Sequence, residues 1–185
     1  MGKDSNSTRI SIPDDAEFKL ESFILPKCYY GDLKSVLIPK GLICDRIKCL
    51  AQEIFQTIGD KSYTNVKRSD TLEIIGLLNT KQLENKNVVI VEDIVDSGVT
   101  MVQLLKTLDE MKVKQKWTAI LLSKRCKRKF EVSDLYFIVQ EDFVAFDIPD
   151  KFVVGFGLDY NQKYRDLGHI CIMSDAGIEK YKVTE

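Results

Sequence analysis

The stretch from Val88 to Thr100 constrains the fold more than any other part of this sequence. It reads VVIVEDIVDSGVT, in which a continuous β-branched run meets two adjacent carboxylates, a third carboxylate and a Ser-Gly turn. A continuous apolar run of this kind is typical of a parallel strand that is buried on both faces. The apolar residues that follow Gly98 recur at helical spacing, which predicts an amphipathic helix. A strand that turns directly into a helix favours an α/β fold.

The rest of the chain carries the same two kinds of pattern. Apolar residues between Gly41 and Ile58 recur at i, i+3, i+4 and i+7, which predicts a helix. Residues 18–38 are expected to be irregular, and residues 61–70 are expected to form a mobile loop. Further apolar runs cover 117–122, 135–139, 143–146 and 152–156. Strand, helix and strand in this order predict βαβ units and a parallel sheet flanked by helices.

Composition and charge exclude several classes of protein. The 185 residues are 44% hydrophobic, which is enough for the core of one domain. We expect residues 1–16 to be a polar leader and residues 17–185 to form a single domain. The 27 Lys and Arg balance 28 Asp and Glu, which argues against a broad basic face for nucleic acid.

No membrane partner is expected either. No apolar run approaches the roughly 18 residues of a transmembrane helix, and the polar start lacks a signal peptide. The five cysteines are scattered without a CxxC pair, which indicates reduced thiols. We therefore expect a cytoplasmic protein. The single histidine, His169, makes a catalytic triad with a spare base improbable, and we interpret it as structural or surface.

The residues at the end of the predicted strand favour a sugar phosphate. Ligands of open α/β sheets bind beyond the carboxyl ends of the strands, and a helix N-terminus suits a phosphate. Gly98 allows close backbone approach, while Ser97 and Thr100 add hydroxyl donors. Three carboxylates repel a phosphate, but Glu92 and Asp93 suit ribose hydroxyls or Mg²⁺. The alternative is an acidic loop in which Ser97 or Asp96 simply caps the helix.

The stretch from Val88 to Thr100, together with several later segments, resembles a known family. Residues 88–100 look like the signature of type I phosphoribosyltransferases that binds 5-phosphoribosyl pyrophosphate (PRPP). Residues 29–39, 45–46, 143–161, 164–167 and 171–182 are similar to the hypoxanthine-guanine phosphoribosyltransferase family. The resemblance implies a parallel sheet flanked by helices, with a small hood from the N- and C-terminal segments. It also implies a homo-oligomer.

The implied reaction moves the 5-phosphoribosyl group of PRPP to N9 of hypoxanthine or guanine with Mg²⁺, giving IMP or GMP and pyrophosphate. Asp96 matches the general base near purine N7, and residues 96–100 match the cradle of the 5′-phosphate. Glu92 and Asp93 match the pair on the ribose hydroxyls. With Asp159, they are also the implied metal ligands. The residues that the resemblance assigns to substrate are Glu92, Asp93, Ile94, Val95, Asp96, Ser97, Gly98, Val99, Thr100, Lys124, Lys151, Phe152, Val153, Asp159 and Arg165.

The purine and pyrophosphate roles come from the same resemblance. Lys124 matches the lysine that donates to purine O6. Phe152 matches the residue that stacks on the base, and the backbone beside Lys151 and Val153 matches the part that reads the base edge. Asp159 matches a carboxylate in the Mg²⁺ shell, and Arg165 matches the arginine that faces pyrophosphate.

Three departures from the family pattern bear on activity. Between residues 60 and 61 the family has a strand, an L-K-G-G loop, a helix and a further strand, and no Gly-Gly pair occurs here. Losing this unit, about 30 residues or more, should shorten the sheet and expose apolar faces and strand edges. Val99 stands where the family usually has a lysine or arginine. Residues 126–141 form a longer segment, in which 135–139 could be an extra strand or a loop insertion.

Two interpretations therefore stay open. In one, the chain is an active purine phosphoribosyltransferase, which the presence of Asp96 favours. In the other, it is a weak or inactive family member or truncated product that acts as a nucleotide-binding or partner subunit, which the missing unit favours. A receiver-like signalling domain also places paired acids at strand ends, but residues 143–161 do not fit it.

Overall fold

The described part of the chain alternates short strands and helices. The computed structural model describes residues 9–59, 83–126 and 141–182. In these residues the elements are β1 (Ile10–Ser11), β2 (Leu33–Ile38), α1 (Lys40–Gly59), β3 (Asn87–Val95), α2 (Val99–Glu110), β4 (Gln115–Lys124), β5 (Phe143–Ile148), β6 (Val153–Val154), β7 (Ile170–Met173) and α3 (Asp175–Lys180). The predicted helices over 41–58 and after Gly98 are confirmed as α1 and α2.

The chain divides into two compact units. The first contains Arg9, Ile10 and the described residues from Cys49 to Asp147. The second contains the described residues from Ser11 to Lys48 and from Ile148 onward. The single domain predicted for residues 17–185 stays a prediction.

A four-stranded sheet and α2 build the first unit. The strand order is β1-β5-β4-β3, and β3 pairs with β4 in parallel, with Val95 opposite Ser123. The crossover between these two strands is α2, so β3, α2 and β4 form the predicted βαβ unit. Apolar side chains of the helix and the strands meet in one buried cluster: Ile90, Val95, Met101, Val102, Leu105, Leu108, Ile120 and Val144.

Strand β3 is not buried on both faces, so that prediction is wrong. Ile90 faces the core cluster, whereas Val89 is 38% exposed and Val91 is 80% exposed. The physical reason is position, because β3 is the last strand in the order of this sheet among the described residues.

The second unit joins the N-terminal and C-terminal segments, as predicted for the hood. Its sheet has the order β2-β7-β6, with β7 antiparallel to both neighbours. The expectation that residues 18–38 are irregular is wrong for Leu33–Ile38, which forms β2 and is buried apart from Lys34. This short strand alternates poorly and is fixed by its pairing with β7, which lies far away in sequence.

Hydrogen bonds to a buried carboxylate hold α3 against the rest of the second unit. Asp32 is 4% exposed and accepts hydrogen bonds from Lys180 Nζ at 2.9 Å and from Tyr164 Oη at 3.1 Å. At Gly177 the helix approaches the chain so closely that a Cβ would lie 2.3 Å from the carbonyl oxygen of Asp32. Ser174 caps the helix by accepting from the N–H of Gly177 at 3.0 Å.

Some predicted segments lie outside the described residues. They are the mobile loop over 61–70, the apolar run over 135–139, and residues 1–8 of the leader. The rest of the leader contributes β1 to the four-stranded sheet. None of the helices in the described part of the chain combines the length and hydropathy that a membrane crossing needs.

Candidate active site

The turn between β3 and α2 leaves a helix N-terminus without a side-chain cap. Gly98 occupies the N-cap position with φ of 83°, a left-handed conformation that glycine adopts without strain. Glycine has no side chain that could cap the helix, so the alternative in which Ser97 or Asp96 occupies the cap position is wrong. The N–H groups and the positive end of the dipole of α2 therefore suit an anion.

The remaining residues of the predicted phosphate cradle follow from this geometry. Val95 is buried in the core and Ile94 is half-buried, and these two residues end the strand. Ser97 and Thr100 are exposed, so their hydroxyls are accessible to a ligand. Val99 is 48% exposed and opens the helix with an apolar side chain. The backbone cradle is thus present without a cationic side chain at this position.

Two adjacent carboxylates lie near the end of β3. The pKa of Glu92 is raised, first by burial and then by the negative charge and hydrogen bond of Asp93. Asp93 Oδ1 accepts from the N–H of Ile94 at 2.8 Å. The charge concentrated here favours a divalent cation or hydroxyl donors as partners.

The carboxylate pair fits Mg²⁺ as a partial ligand set. Within the described residues, no group of three or more His, Cys, Asp or Glu is arranged to hold a metal ion. Mg²⁺ usually keeps several waters and takes only one or two protein carboxylates together with substrate oxygens. Glu92 and Asp93 supply hard oxygen ligands of that kind, so the donor set suits this ion when a phosphorylated substrate completes it.

Parallel pairing of β3 and β4 places Lys124 beside Asp96, the predicted general base. Because Val95 lies opposite Ser123, the next residues along both strands are neighbours. Lys124 Nζ lies 2.9 Å from Asp96 Oδ2, with 10% of the lysine side chain and 58% of the aspartate side chain exposed. Sequence reasoning assigned Lys124 to purine O6 and did not foresee this ion pair. The purine role stays a prediction.

A second group at the end of β4 contacts the same aspartate. Cys126 Sγ lies 3.1 Å from the backbone oxygen of Asp96 and 3.6 Å from its Oδ1. Sequence reasoning interpreted the cysteines only as reduced thiols, and all five are free. The available signal was spacing, because Cys126 follows Lys124 by two residues at the carboxyl end of a strand.

Glu141 anchors the residue that precedes Lys124. Ser123 is buried and donates to Glu141 Oε1 at 2.8 Å, while Arg9 pairs with Glu141 Oε2 at 3.1 Å. The glutamate side chain is only 10% exposed. These contacts hold the end of β4 in place, and they join residues too far apart in sequence to be predicted.

The second unit holds three of the residues that were assigned to the purine, namely Lys151, Phe152 and Val153. Phe152 is 40% exposed and packs edge-on against Tyr160, with ring centroids 5.0 Å apart. Val153 is buried in β6. Lys151 Nζ lies 3.1 Å from Glu17 Oε1, and hydrogen bonds from Lys34 and Lys151 lower the pKa of that glutamate. The side chain of Lys151 is thereby engaged, and its backbone N–H donates to the carbonyl of Pro149 at 2.8 Å.

Asp159 and Arg165 pair with each other. Arg165 Nη2 lies 2.7 Å from Asp159 Oδ1, and Arg165 Nη1 donates to the carbonyl of Gly157 at 2.8 Å. Asp159 Oδ2 accepts from the N–H of Gln162 at 2.8 Å. The structure therefore brings these two predicted residues together. Their assignments to Mg²⁺ and pyrophosphate stay predictions.

His169 has a structural partner that the sequence did not reveal. Its Nδ1 accepts from the N–H of Lys40 at 3.0 Å, where α1 begins, and its ring packs against Phe23 at 4.7 Å. Burial, followed by the positive charge of Lys40, lowers the pKa of the imidazole. The neutral ring thus satisfies a donor at a helix N-terminus.

Comparisons with known proteins agree with this arrangement. Residues 44–161 match the model of the phosphoribosyl transferase domain family. The chain is 34% identical to hypoxanthine-guanine phosphoribosyltransferase of Rattus norvegicus over 220 residues, covering 95% of this chain and 98% of the relative. It is 35% identical to phosphoribosyltransferase domain-containing protein 1 of Xenopus laevis over 223 residues, with 97% and 96% covered.

A solved structure shows the same architecture. Hypoxanthine-guanine phosphoribosyltransferase from Schistosoma mansoni, solved in complex with IMP, aligns with a TM-score of 0.79 at 30% identity and covers 94% of this chain and 98% of that one. The 220-residue alignment with the rat protein exceeds the 185 residues here, so at least 35 aligned positions (220 against 185) have no counterpart in this chain. A difference of this size agrees with the missing unit. The chain therefore belongs to the phosphoribosyltransferase family, in the group that contains the hypoxanthine-guanine phosphoribosyltransferases.

Proposed function

We propose that this protein transfers the 5-phosphoribosyl group of PRPP to N9 of hypoxanthine or guanine, with Mg²⁺, in purine salvage. The observation that carries the proposal is the β3–α2 turn, where the acidic end of β3 meets a helix N-terminus without a side-chain cap. A phosphate and a polyhydroxyl sugar are the chemical groups that this turn suits. IMP or GMP and pyrophosphate are the products.

PRPP binding draws on backbone and side chains of the same turn. Backbone N–H groups over residues 96–100 and the hydroxyls of Ser97 and Thr100 hold the 5′-phosphate. Gly98 permits close approach because it has no Cβ. Glu92 and Asp93 accept hydrogen bonds from the ribose hydroxyls, which offsets the burial and the repulsion by Asp93 that raise the pKa of Glu92.

Glu92 and Asp93 would hold Mg²⁺ beside oxygens of PRPP, and the family resemblance adds Asp159 to the shell of this ion. When bound, it supplies positive charge that stabilises the departing pyrophosphate. Asp159 and Arg165 form an ion pair, which substrate binding would exchange for contacts to Mg²⁺ and pyrophosphate. Arg165 is then available to the pyrophosphate.

The transfer forms the bond from N9 to ribose C1′ and breaks the bond from C1′ to the pyrophosphate oxygen. Positive charge develops on the ribose, and the fixed carboxylates of Glu92 and Asp93 stabilise it. The purine loses a proton from N7, and Asp96 accepts it as general base. The hydrogen bond from Lys124 to Asp96 Oδ2 orients that carboxylate.

We assign purine recognition to Phe152, whose partly exposed ring can stack on a base. The backbone beside Lys151 and Val153 reads the base edge, and Lys124 donates to O6. We further propose that the protein is cytoplasmic. We also propose that it forms a homo-oligomer, and light scattering on the purified chain tests this second proposal.

A second candidate function has its own support. At least 35 positions of the rat relative lack a counterpart here, and no Gly-Gly pair occurs in the sequence. If the absent unit supplies contacts that turnover needs, the chain acts as a weak or inactive nucleotide-binding or partner subunit. Calorimetric binding of PRPP and IMP without turnover is the result that distinguishes this candidate.

The deciding experiment measures IMP formation from hypoxanthine and PRPP, with and without Mg²⁺. Wild type is compared with Asp96→Asn and with Asp109→Asn. Asp109 is a matched control because it is 51% exposed and pairs with a lysine in the same unit, outside the predicted site. We expect Mg²⁺-dependent product that falls at least about 100-fold in Asp96→Asn, as loss of a general base does, and persists in Asp109→Asn. No product from folded wild-type chain refutes the catalytic proposal.

A further inference from the structure

The end of β4 brings a thiol to the aspartate proposed as the base. Cys126 is half-buried and reduced, and its Sγ lies 3.1 Å from the backbone oxygen of Asp96 and 3.6 Å from the Oδ1 atom. Lys124 Nζ contacts the other carboxylate oxygen, Oδ2, at 2.9 Å. The aspartate is therefore held between two groups that come from the same strand end.

The exposure of Asp96 explains why two contacts matter. More than half of its side chain is open to solvent, so one hydrogen bond at Oδ2 leaves the carboxylate free to rotate about the contacted oxygen. A second contact at Oδ1 restricts that rotation. A contact at the backbone oxygen also fixes the residue that precedes the Ser97–Gly98 turn.

We infer that Cys126 is a positioning residue that orients the carboxylate of Asp96 for proton transfer from the purine. This inference rests on the proposed function, because it needs Asp96 to act as the base. A thiol is a weak donor with one proton, so it serves the backbone oxygen or Oδ1 at any moment. Its effect is on orientation, and substrate binding does not depend on it.

Kinetics of Cys126→Ala and Cys126→Ser test the inference, with Cys49→Ala as a control at an exposed cysteine of α1. We expect Cys126→Ala to lower kcat about two- to five-fold, the effect of losing a weak hydrogen bond. The KM values for PRPP and hypoxanthine should stay unchanged. Serine should restore most of kcat because it returns a donor, and Cys49→Ala should match wild type. Wild-type kcat in Cys126→Ala overturns the inference, and so does a rise in KM alone.

Alkylation by iodoacetamide gives a readout that does not depend on turnover. The thiolate is the reacting species, and the neighbouring carboxylate disfavours it. We expect Asp96→Asn to raise the alkylation rate of Cys126 several-fold, measured by mass spectrometry on its peptide. The rate at Cys49 should not change, and Asp109→Asn should leave Cys126 as in wild type.

The two readouts separate the two possible failures. Inactive wild type refutes the proposed function, and the alkylation rates then still decide whether Cys126 contacts the carboxylate. Equal rates at Cys126 in wild type and Asp96→Asn overturn the inference whether or not the enzyme turns over.

Discussion

Removing either member of the Lys124–Asp96 ion pair should have unequal effects on stability. The two side chains are separated by 2.9 Å but differ in exposure, with 10% of the lysine and 58% of the aspartate open to solvent. Asp96→Asn leaves a largely buried ammonium without this partner. Lys124→Met leaves a carboxylate that water already reaches, and methionine keeps most of the apolar stem.

The exposures set the size of each effect. Loss of a partner from a mostly buried charged group costs about 1–3 kcal/mol in the free energy of unfolding. Loss of a partner from an exposed carboxylate, discounted for solvent screening, costs about 0–1 kcal/mol. The double variant should then be more stable than Asp96→Asn alone, because it has no buried ammonium to leave behind.

Urea denaturation at pH 7.5, followed by circular dichroism, measures the four proteins of this cycle. Asp109→Asn serves as a fifth. Its partner Lys116 also donates to the carbonyl of Leu105, so the loss there should stay below about 1 kcal/mol. The reasoning is refuted if Lys124→Met costs as much as Asp96→Asn, or if the two single effects simply add in the double variant.

Three further predictions follow from charge and packing. Glu92→Gln should raise the free energy of unfolding at pH 7 by about 0.5 kcal/mol after solvent screening is allowed for, because burial and Asp93 disfavour the charged glutamate. It should also weaken PRPP binding in calorimetry, and a less stable variant contradicts the argument. The pKa of His169 in the folded chain lies below 6.5, the ordinary value of an imidazole. At pH values between these two pKa values, the unfolded chain binds a proton that the folded chain does not. Stability should therefore be complete above about pH 6.5 and fall as pH drops through this window in urea titrations, and His169→Gln should lose this dependence; the same slope in both proteins excludes the imidazole as its source. Gly177→Ala should lower stability by about 1–3 kcal/mol despite the helix preference of alanine, because its Cβ meets the carbonyl of Asp32 at 2.3 Å, and a higher melting temperature refutes this.

Local patterns predicted the elements that have their own periodicity. The helix over 41–58 and the strand–turn–helix at Gly98 depend on residues that are close in sequence, and the structure confirms both. The helix cap could not be decided from the sequence, because Ser97 and Asp96 are both good capping residues. The left-handed conformation of Gly98 settles that choice, and it depends on how the strand meets the helix.

Long-range pairing accounts for what the sequence did not show. The partner of His169 lies 129 residues away at the start of α1, and β2 is defined by its pairing with β7. The run over 88–91 indicated a doubly buried strand, but its place in the sheet order leaves Val91 exposed. Cys126 looked like an ordinary thiol until the strand register placed it beside Asp96. In each case the missing information was which distant segment lies alongside.

The bare N-terminus of α2 has a practical consequence for ligand screening by thermal shift. A helix with glycine at its N-cap lacks roughly 0.3 kcal/mol relative to one capped by Ser, Asp or Asn, and an oxyanion that binds there accepts hydrogen bonds from the N–H groups of the first turn. Inorganic phosphate or sulfate in the buffer should therefore raise the melting temperature, by an amount that grows with the logarithm of the anion concentration once that concentration exceeds the Kd. Substrate identification by melting temperature then requires a buffer free of such anions. A raised melting temperature shows only that an anion is bound at the N-terminus of α2, and it does not identify the purine.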